Sequence, residues 1–424
     1  MACLVDRLEQ RGFVAQLTDG DGLRALLGKG KVAVYAGFDP SASSLHCGNL
    51  VPIMGLAHFQ RAGHVPIIVV GGATGMVGDP SGKSDERNLL TVEQVEANSA
   101  AIGRQLGRFL SFEGEASAVM VNNADWIGRF SYLEWLRDVG KHFSVNAMMA
   151  KDSVRSRLED REQGISYTEF SYMLLQAYDF LHLCRVHDCR VQVGGNDQWG
   201  NITAGIDLIR RLTGKQAYGM TFPLLTTASG EKFGKTAEGA VWLDAERTSV
   251  WDFYQYWIRT DDRDVIRNLY LFTFLSAEEI AELEGRLREA PQERAAQRAL
   301  AREVTAIVHG QEQADAMEQG AQLLYKQELK DLTDEQLQML FADAPTHEIP
   351  RDRLSAGIPI VELLAETRLV PSKSEARRRL QSGGIYVNNQ PVTDRFVADE
   401  GALASPHAVV LRSGKKNYLV VQVV

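Results

Sequence analysis

Cysteine is scarce in this chain. Cys3, Cys47, Cys184 and Cys189 are the four among 424 residues, too few and too scattered for a disulfide framework, which fits a reducing compartment. Long apolar runs are missing too. No uninterrupted stretch approaches the roughly 20 residues that span a bilayer, and Asp6, Arg7 and Glu9 stand where a signal peptide needs an apolar block. The expectation is a cytoplasmic protein with no membrane partner. Repeats and low-complexity tracts are also lacking, and 45% hydrophobic with 24% charged residues excludes a largely disordered or collagenous chain.

What is present exceeds one domain. A length of 424 residues passes the ~250 to 300 at which single cores stop growing, so two or three domains are expected. Charge is unevenly placed. The net is -9, yet residues 367–424 hold nine Lys and Arg against four acids, which leaves +5 there and -14 in the remainder. Such asymmetry suggests an acidic body with a basic module that reaches a polyanion, although a solvated charged face gives the same pattern.

The first half alternates short apolar runs (32–37, 65–70, 118–122, 190–193) with amphipathic stretches (50–62, 91–110, 132–138, 168–187). This predicts an α/β fold: a Rossmann-like, doubly wound parallel sheet whose ligands bind beyond the carboxyl ends of the strands. After Asp244 the pattern is helical, over 249–259, 262–272, 277–289 and 292–308. The stretch 342–359 holds Pro345, Pro350 and Pro359 with little apolar periodicity, which marks a linker over 342–357. Two short helices (360–368, 373–382) and β-segments around Asn388 and over 409–424 follow, a small α+β domain over 358–424.

Three segments carry the chemistry. The first runs from Tyr35 through Gly37, Asp39 and Ser41 to His46, Gly48 and Asn49, leaving a strand and entering a helix. Gly48 lets backbone approach a ligand, and a helix start offers free N–H groups to phosphate. A capping or core histidine would read the same way. The second and third, Gly78 to Lys83 and Gly230 to Thr236, are glycine- and lysine-bearing but each one residue short of a P-loop. Gly72, Gly75 and Gly78 do not fit the dinucleotide fingerprint either, which disfavours NAD. Along the helix expected over 168–187, Tyr172, Gln176 and Asp179 fall at i, i+4 and i+7 within an apolar run. A solvent-facing stripe would show the same spacing, but a buried amide and carboxylate need partners and the next strand supplies Gln192, then Gly195, Asp197 and Gln198, so this face reads as a pocket wall. His182, Cys184, His187 and Cys189 lack metal-ligand spacing, and no metal site is expected.

Together these segments resemble the bacterial tyrosyl-tRNA synthetases, from near the N-terminus to the last strand. His46-Cys47-Gly48-Asn49 is similar to the HIGH signature of class I aminoacyl-tRNA synthetases, and Lys232-Phe233-Gly234-Lys235-Thr236 to their KMSKS signature. Asn49 stands where many class I enzymes carry a second histidine; it still donates an N–H to a phosphate oxygen, without charge. Ser41 stands where Thr is common and keeps the hydroxyl. Ser374 to Leu380, followed by Gly384 to Asn389, is similar to an S4 RNA-binding module, which would make Lys373, Arg377, Arg378 and Arg379 an RNA-facing surface.

The resemblance implies a catalytic domain over 1–245 with a dimer-forming insertion at about 110–165, an anticodon-recognising helical domain over 246–341, an S4-like domain and a homodimer. It implies ligation of tyrosine to tRNA(Tyr) through an adenylate made from ATP. His46 and Asn49 would meet the phosphates, Lys232 and Lys235 the pyrophosphate end, with Thr236, Lys83 and Arg87 assisting. Tyr35 and Asp179 would hold the phenolic hydroxyl, where phenylalanine leaves them unpaired. Asp79, Tyr172 and Gln176 would hold the α-ammonium. Gln192 lines the tyrosine site; Gly37, Asp39, Ser41, Gly48, Gly195, Asp197 and Gln198 line the nucleotide site. ATP would arrive with Mg²⁺, with no tightly bound metal or organic cofactor. Lys151, Arg155 and Arg157 are acceptor-stem candidates, with a solvated helix face the equal alternative. The rivals are the tryptophanyl sister enzyme, a catalytically silent S4-type RNA-binding protein, and an unrelated nucleotidyltransferase. Tyr35 with Asp179 and the long basic tail favour tyrosine, and the signature lysines argue against a silent scaffold.

Overall fold

The computed structural model describes residues 3–81, 90–159, 164–236, 239–324, 329–341, 344–414 and 417–424. The chain forms two compact units, Met1–Gly310 and Gln311–Val424. The first is organised on six strands: β1 (Gln16–Leu17), β2 (Ala33–Phe38), β3 (Val65–Val70), β4 (Val119–Asn122), β5 (Val191–Gly195) and β6 (Tyr218–Phe222). Their spatial order is β1-β6-β5-β2-β3-β4, with β2 to β6 parallel and β1 antiparallel at the edge. The chain builds outward from β2 through β3 to β4, then returns to lay β5 on the other flank of β2. That reversal opens a crevice where the carboxyl ends of β2 and β5 part.

The parallel strands read as apolar runs because helices cover them. Tyr35, Ile67 and Val69 pack in one core with Met173, Ala177 and Phe180 of the helix Tyr167–His187. The helix Leu50–Arg61 lies against β2, β3 and β5. The Ser166 hydroxyl caps the long helix by accepting from the Glu169 N–H at 3.2 Å, and left-handed Asp188 (φ 46°) ends it. The expected strands and helices of the first half are present within a few residues. Outside that reading fall β6, the edge strand β1 and the helix Trp199–Thr213. β6 is buried along its whole length, yet Gly219 and Thr221 break its apolar run, so neither a period of two nor a continuous stripe is visible. Beyond the sheet, the helices Val250–Ile258, Asp262–Phe272, Ala277–Glu289 and Ala295–His309 follow.

The second unit has its own core, to which Leu363, Leu380, Val387, Leu411 and Val421 contribute. Its five-stranded sheet contains Ile385–Val387, Gln390–Pro391, Ala408–Ser413, Asn417–Val423 and Thr346–Ile349. Asn388 and Asn389, both left-handed (φ 47° and 63°), make the two-residue turn that closes the first hairpin. Of the stretch expected as a linker over 342–357, residues 342 and 343 lie outside the described residues and the rest is folded. Thr346–Ile349 pairs parallel with the last strand, and Arg351–Ser355 is a short helix. Ile349 and Leu354 are fully buried and tie this proline-bearing segment to the core. Pro345 precedes that strand and Pro350 caps that helix, positions where proline costs no ladder bond.

Candidate active site

A cleft of about 660 Å³ lies beyond the carboxyl ends of β2 and β5. Into it come Tyr35, Gly37, Asp39 and Ser41 from β2 and the segment after it, with Gln192, Gly195, Asp197 and Gln198 from β5 and its turn. Tyr172, Gln176 and Asp179 line it from a single face of the helix Tyr167–His187, as their spacing requires. His46, Gly48 and Asn49 line it from the turn before Leu50, Asp79 from the loop after β3, and Lys232 and Lys235 from the loop after β6. Thr236 follows Lys235 in a short strand paired with Gly239–Ala240. Lys83 and Arg87 lie outside the described residues.

At the deep end, hydrogen bonds lock the acidic groups. Asp179 is 3% exposed; its Oδ1 accepts from Trp126 Nε1 at 2.8 Å and its Oδ2 from Asn123 Nδ2 at 3.0 Å. Burial pushes its carboxyl up to about 7, against the pull of those two donors. Asn123 Nδ2 also donates to Thr74 Oγ1 at 3.0 Å, and Thr74 Oγ1 to Asp39 Oδ1 at 2.7 Å. The Tyr172 hydroxyl donates to Asp39 Oδ2 at 2.8 Å. The Tyr35 hydroxyl accepts from Gln192 Nε2 at 2.8 Å, so its own proton can be donated to a ligand. Burial holds the phenols of Tyr35 and Tyr172 well above the usual range, so both stay neutral donors. Alongside, Asp79 Oδ2 accepts from Gln198 Nε2 at 2.6 Å, while Asn201 Nδ2 donates to Gln176 Oε1 and Gln198 Oε1, each at 3.1 Å. Burial, then the nearby Asp79 charge, pushes the Asp197 carboxyl up.

The mouth is built differently. His46 Nδ1 accepts from the Gly48 N–H at 3.0 Å, and the His46 N–H donates to Asn49 Oδ1 at 3.0 Å, a reciprocal cap. Burial, and then the Lys235 charge, hold the imidazole below its usual range. A neutral ring whose Nδ1 accepts carries its proton on Nε2, a tautomer inferred from that bond. The ring therefore keeps one N–H, on Nε2, that the cap does not use, and the cap leaves the Asn49 NH₂ unused as well. Opposite, Gly234 adopts φ +78°, and a Cβ there would sit 2.8 Å from Gly48 N. The two glycine-bearing segments thus meet backbone to backbone. The seam continues as the Val241 N–H donates to Gly234 O and the Cys47 N–H to Val241 O, both at 2.9 Å. Lys232 and Lys235 flank it, exposed.

Asn123, Trp126, Thr74 and Asn201 escaped the sequence reading. Asn123 follows a recognised strand at its carboxyl end, so the position rule that found Gly37 and Asp39 reaches it; Trp126, in a one-turn helix beyond, had no such signal. Arg157 must be withdrawn as an acceptor-stem contact. It is buried and paired with buried Glu169 at 3.0 Å, because an arginine so enclosed needs a counter-charge. Lys151 Nζ donates to Thr203 Oγ1 at 2.8 Å. In the second unit, Arg378 and Arg379 pair with Glu375 at 2.9 and 2.8 Å, and Lys373 with Glu362 at 3.1 Å; Arg377 is exposed on the same helix.

Comparison with known proteins adds two family matches. Residues 28–326 match the family described as tRNA synthetases class I (W and Y), and residues 336–421 match the tyrosine–tRNA ligase SYY-like C-terminal domain. The tyrosine–tRNA ligase of Rhodopirellula baltica is 52% identical over 99% of this chain and 96% of its own length. That of Geobacillus kaustophilus is 53% identical over 98% and 99% respectively. Among solved structures, a C-terminally truncated mitochondrial tyrosyl-tRNA synthetase of Aspergillus nidulans superposes with a TM-score of 0.70 at 33% identity, over 77% of this chain and 95% of that one.

Proposed function

Because the chain belongs to the tyrosine–tRNA ligase family of class I tRNA synthetases, we propose how its own residues carry out the reaction. That reaction joins L-tyrosine to ATP with loss of pyrophosphate, then passes the tyrosyl group from the adenylate to the 3′-end of tRNA(Tyr). One observation carries the assignment of residues. A single cleft has neutral phenols and a caged carboxylate at its depth, and N–H groups that the cap leaves unused and two lysines at its mouth.

The tyrosine hydroxyl lies between Tyr35, which donates, and Asp179, which accepts. Asp79, Tyr172 and Gln176 surround the α-ammonium, with Gln192 behind the ring. Tyrosine's carboxylate is already ionised at pH 7, so its in-line attack on the α-phosphorus needs no general base. Charge then grows on the α-phosphoryl oxygens and the leaving pyrophosphate. His46 Nε2–H and the Asn49 amide meet the former; Lys232 and Lys235 hold the latter, with Thr236, Lys83 and Arg87 assisting. Preorganised donors of this kind lower the barrier because they do not reorient as charge develops. Gly37, Asp39, Ser41, Gly48, Gly195, Asp197 and Gln198 border the nucleotide. Magnesium is taken to arrive on ATP as its counterion. Among the described residues no group of three or more His, Cys, Asp or Glu side chains comes together as a metal site.

Tyr132, Leu133 and Tyr167 are 62%, 77% and 64% exposed, an apolar surface in and beside the insertion that suits a homodimer. The catalytic unit works with the helices beyond residue 246 for anticodon recognition, and the S4-like C-terminal region uses Lys373, Arg377, Arg378 and Arg379 on tRNA in the cytoplasm. The test of the site is ATP/pyrophosphate exchange, without tRNA, against each of the twenty amino acids. Exchange with tyrosine alone is expected. Exchange with tryptophan would overturn the phenol assignment at Tyr35 and Asp179.

A further inference from the structure

The loop that carries Lys232 and Lys235 is held from outside the sheet. Within itself it is a tight hairpin: the Phe233 N–H donates to Leu225 O at 3.2 Å and the Thr227 N–H to Glu231 O at 2.9 Å. Two side chains of the helix Asp262–Phe272 then take hold of its backbone. Asp264 Oδ2 accepts from the Ala228 N–H at 2.7 Å, and Arg267 Nη2 donates to Thr226 O at 3.0 Å. The two also pair with each other at 2.9 Å, so each orients the other. Asp264 is 7% exposed, which makes its bond to a backbone N–H a charge-assisted one away from bulk water.

A third anchor sits at the seam. The Tyr256 hydroxyl accepts from the Gly234 N–H at 3.0 Å. Between the anchors Phe233 is buried, its ring stacked on Phe272 at 5.0 Å and tilted against Trp257 at 5.7 Å. Phe233 lies between the two lysines in sequence, so burying its ring restrains the backbone of both.

We propose that Tyr256, Asp264 and Arg267 are positioning residues: they latch the lysine loop to the helical segment 250–272 and thereby set where Lys232 and Lys235 stand when adenylate forms. This rests on the assignment of those lysines to the leaving pyrophosphate. The latch supports the assembled site. In the latched state both lysines border the cleft with His46, and Gly234 abuts Gly48. Loosening it therefore slows the reaction.

The test uses the full-length protein and four variants: D264N, Y256F, K235A and D264N/K235A. Single-turnover adenylate formation gives the rate constant, and equilibrium titration gives the tyrosine Kd. For D264N and for Y256F the rate constant is expected to fall about tenfold, the effect of one lost hydrogen bond to a restrained loop, with the tyrosine Kd within twofold. In the K235A background D264N is expected to cost clearly less than the tenfold it costs alone, because one of the two lysines it positions is gone and only Lys232 remains. An unchanged or raised rate in both D264N and Y256F overturns the latch, as does a fully additive double variant. A matched loss of tyrosine affinity and rate overturns it in favour of a general folding role. If K235A itself is unimpaired, the lysine assignment fails and the latch with it. If K235A is impaired while D264N and Y256F are normal, the latch alone fails.

Discussion

The two ends of the cleft are made by opposite strategies. At depth, every carboxylate oxygen of Asp179 and Asp39 already has a partner, and the network runs Trp126, Asp179, Asn123, Thr74, Asp39, Tyr172. At the mouth, the groups proposed to meet the phosphates are held by backbone: a reciprocal cap fixes His46 and Asn49, and a hairpin with a glycine carries the exposed lysines. Recognition of a neutral phenol needs donors and acceptors whose directions are set beforehand, and a low dielectric sharpens the penalty for a ligand that cannot match them. Stabilising pyrophosphate needs charge that reaches and releases. The difference shows where affinity and where rate should reside.

The comparison breaks most visibly at the mouth. Replacing Lys235 by Ala is expected to slow tyrosine-dependent exchange by roughly 100- to 1,000-fold, the usual effect of deleting a preorganised donor, with tyrosine affinity unchanged. A matched rise in the tyrosine Kd would erase the division. At depth, Asp179→Asn should weaken tyrosine binding by about 10- to 100-fold and leave the KM for ATP within twofold, as steady-state exchange at varied ATP would reveal.

The same residue sharpens the contrast through pH. The Asp179 carboxyl titrates near 3.8 in an unfolded chain and near 7 when buried. The folded state therefore holds more protons across that window, and stability falls as pH rises from about 4 to 7. Removing the charge relieves that cost only where it exists. The melting temperature of Asp179→Asn relative to the parent should thus be a few degrees more favourable at pH 8 than at pH 4, and calorimetry at the two values decides it. The smallest effect belongs to the other unit. Arg377→Ala should reduce the salt dependence of tRNA affinity by about one counterion and leave exchange untouched; an altered exchange rate would mean that this helix serves the cleft.

Much of this was legible in residues alone. Strands that end in Gly37 and Asp39, or in Gly195 and Asp197, announce a switch-point crevice, and Tyr172, Gln176 and Asp179 announce one wall of it by helical spacing. What stayed hidden depends on contacts between distant segments. Trp126 lies 53 positions from Asp179, and nothing local in its sequence signals that its indole N–H is committed to a carboxylate. Arg157 looked like a surface cation because its partner Glu169 is 12 positions on and beyond a loop. β6 lacked a period, and the proline-bearing stretch after 342 lacked one too, although both are bound into sheets. Local pattern reports which face is wet only when the neighbours are regular.

The seam between Gly234 and Gly48 has a consequence for variation. The joint's tolerance is smaller than one methyl group, so the lysine loop and the histidine turn are matched parts: a drifting loop cannot be refitted by adding a side chain, only by moving main chain. A library that randomises position 234 should therefore yield a single usable residue.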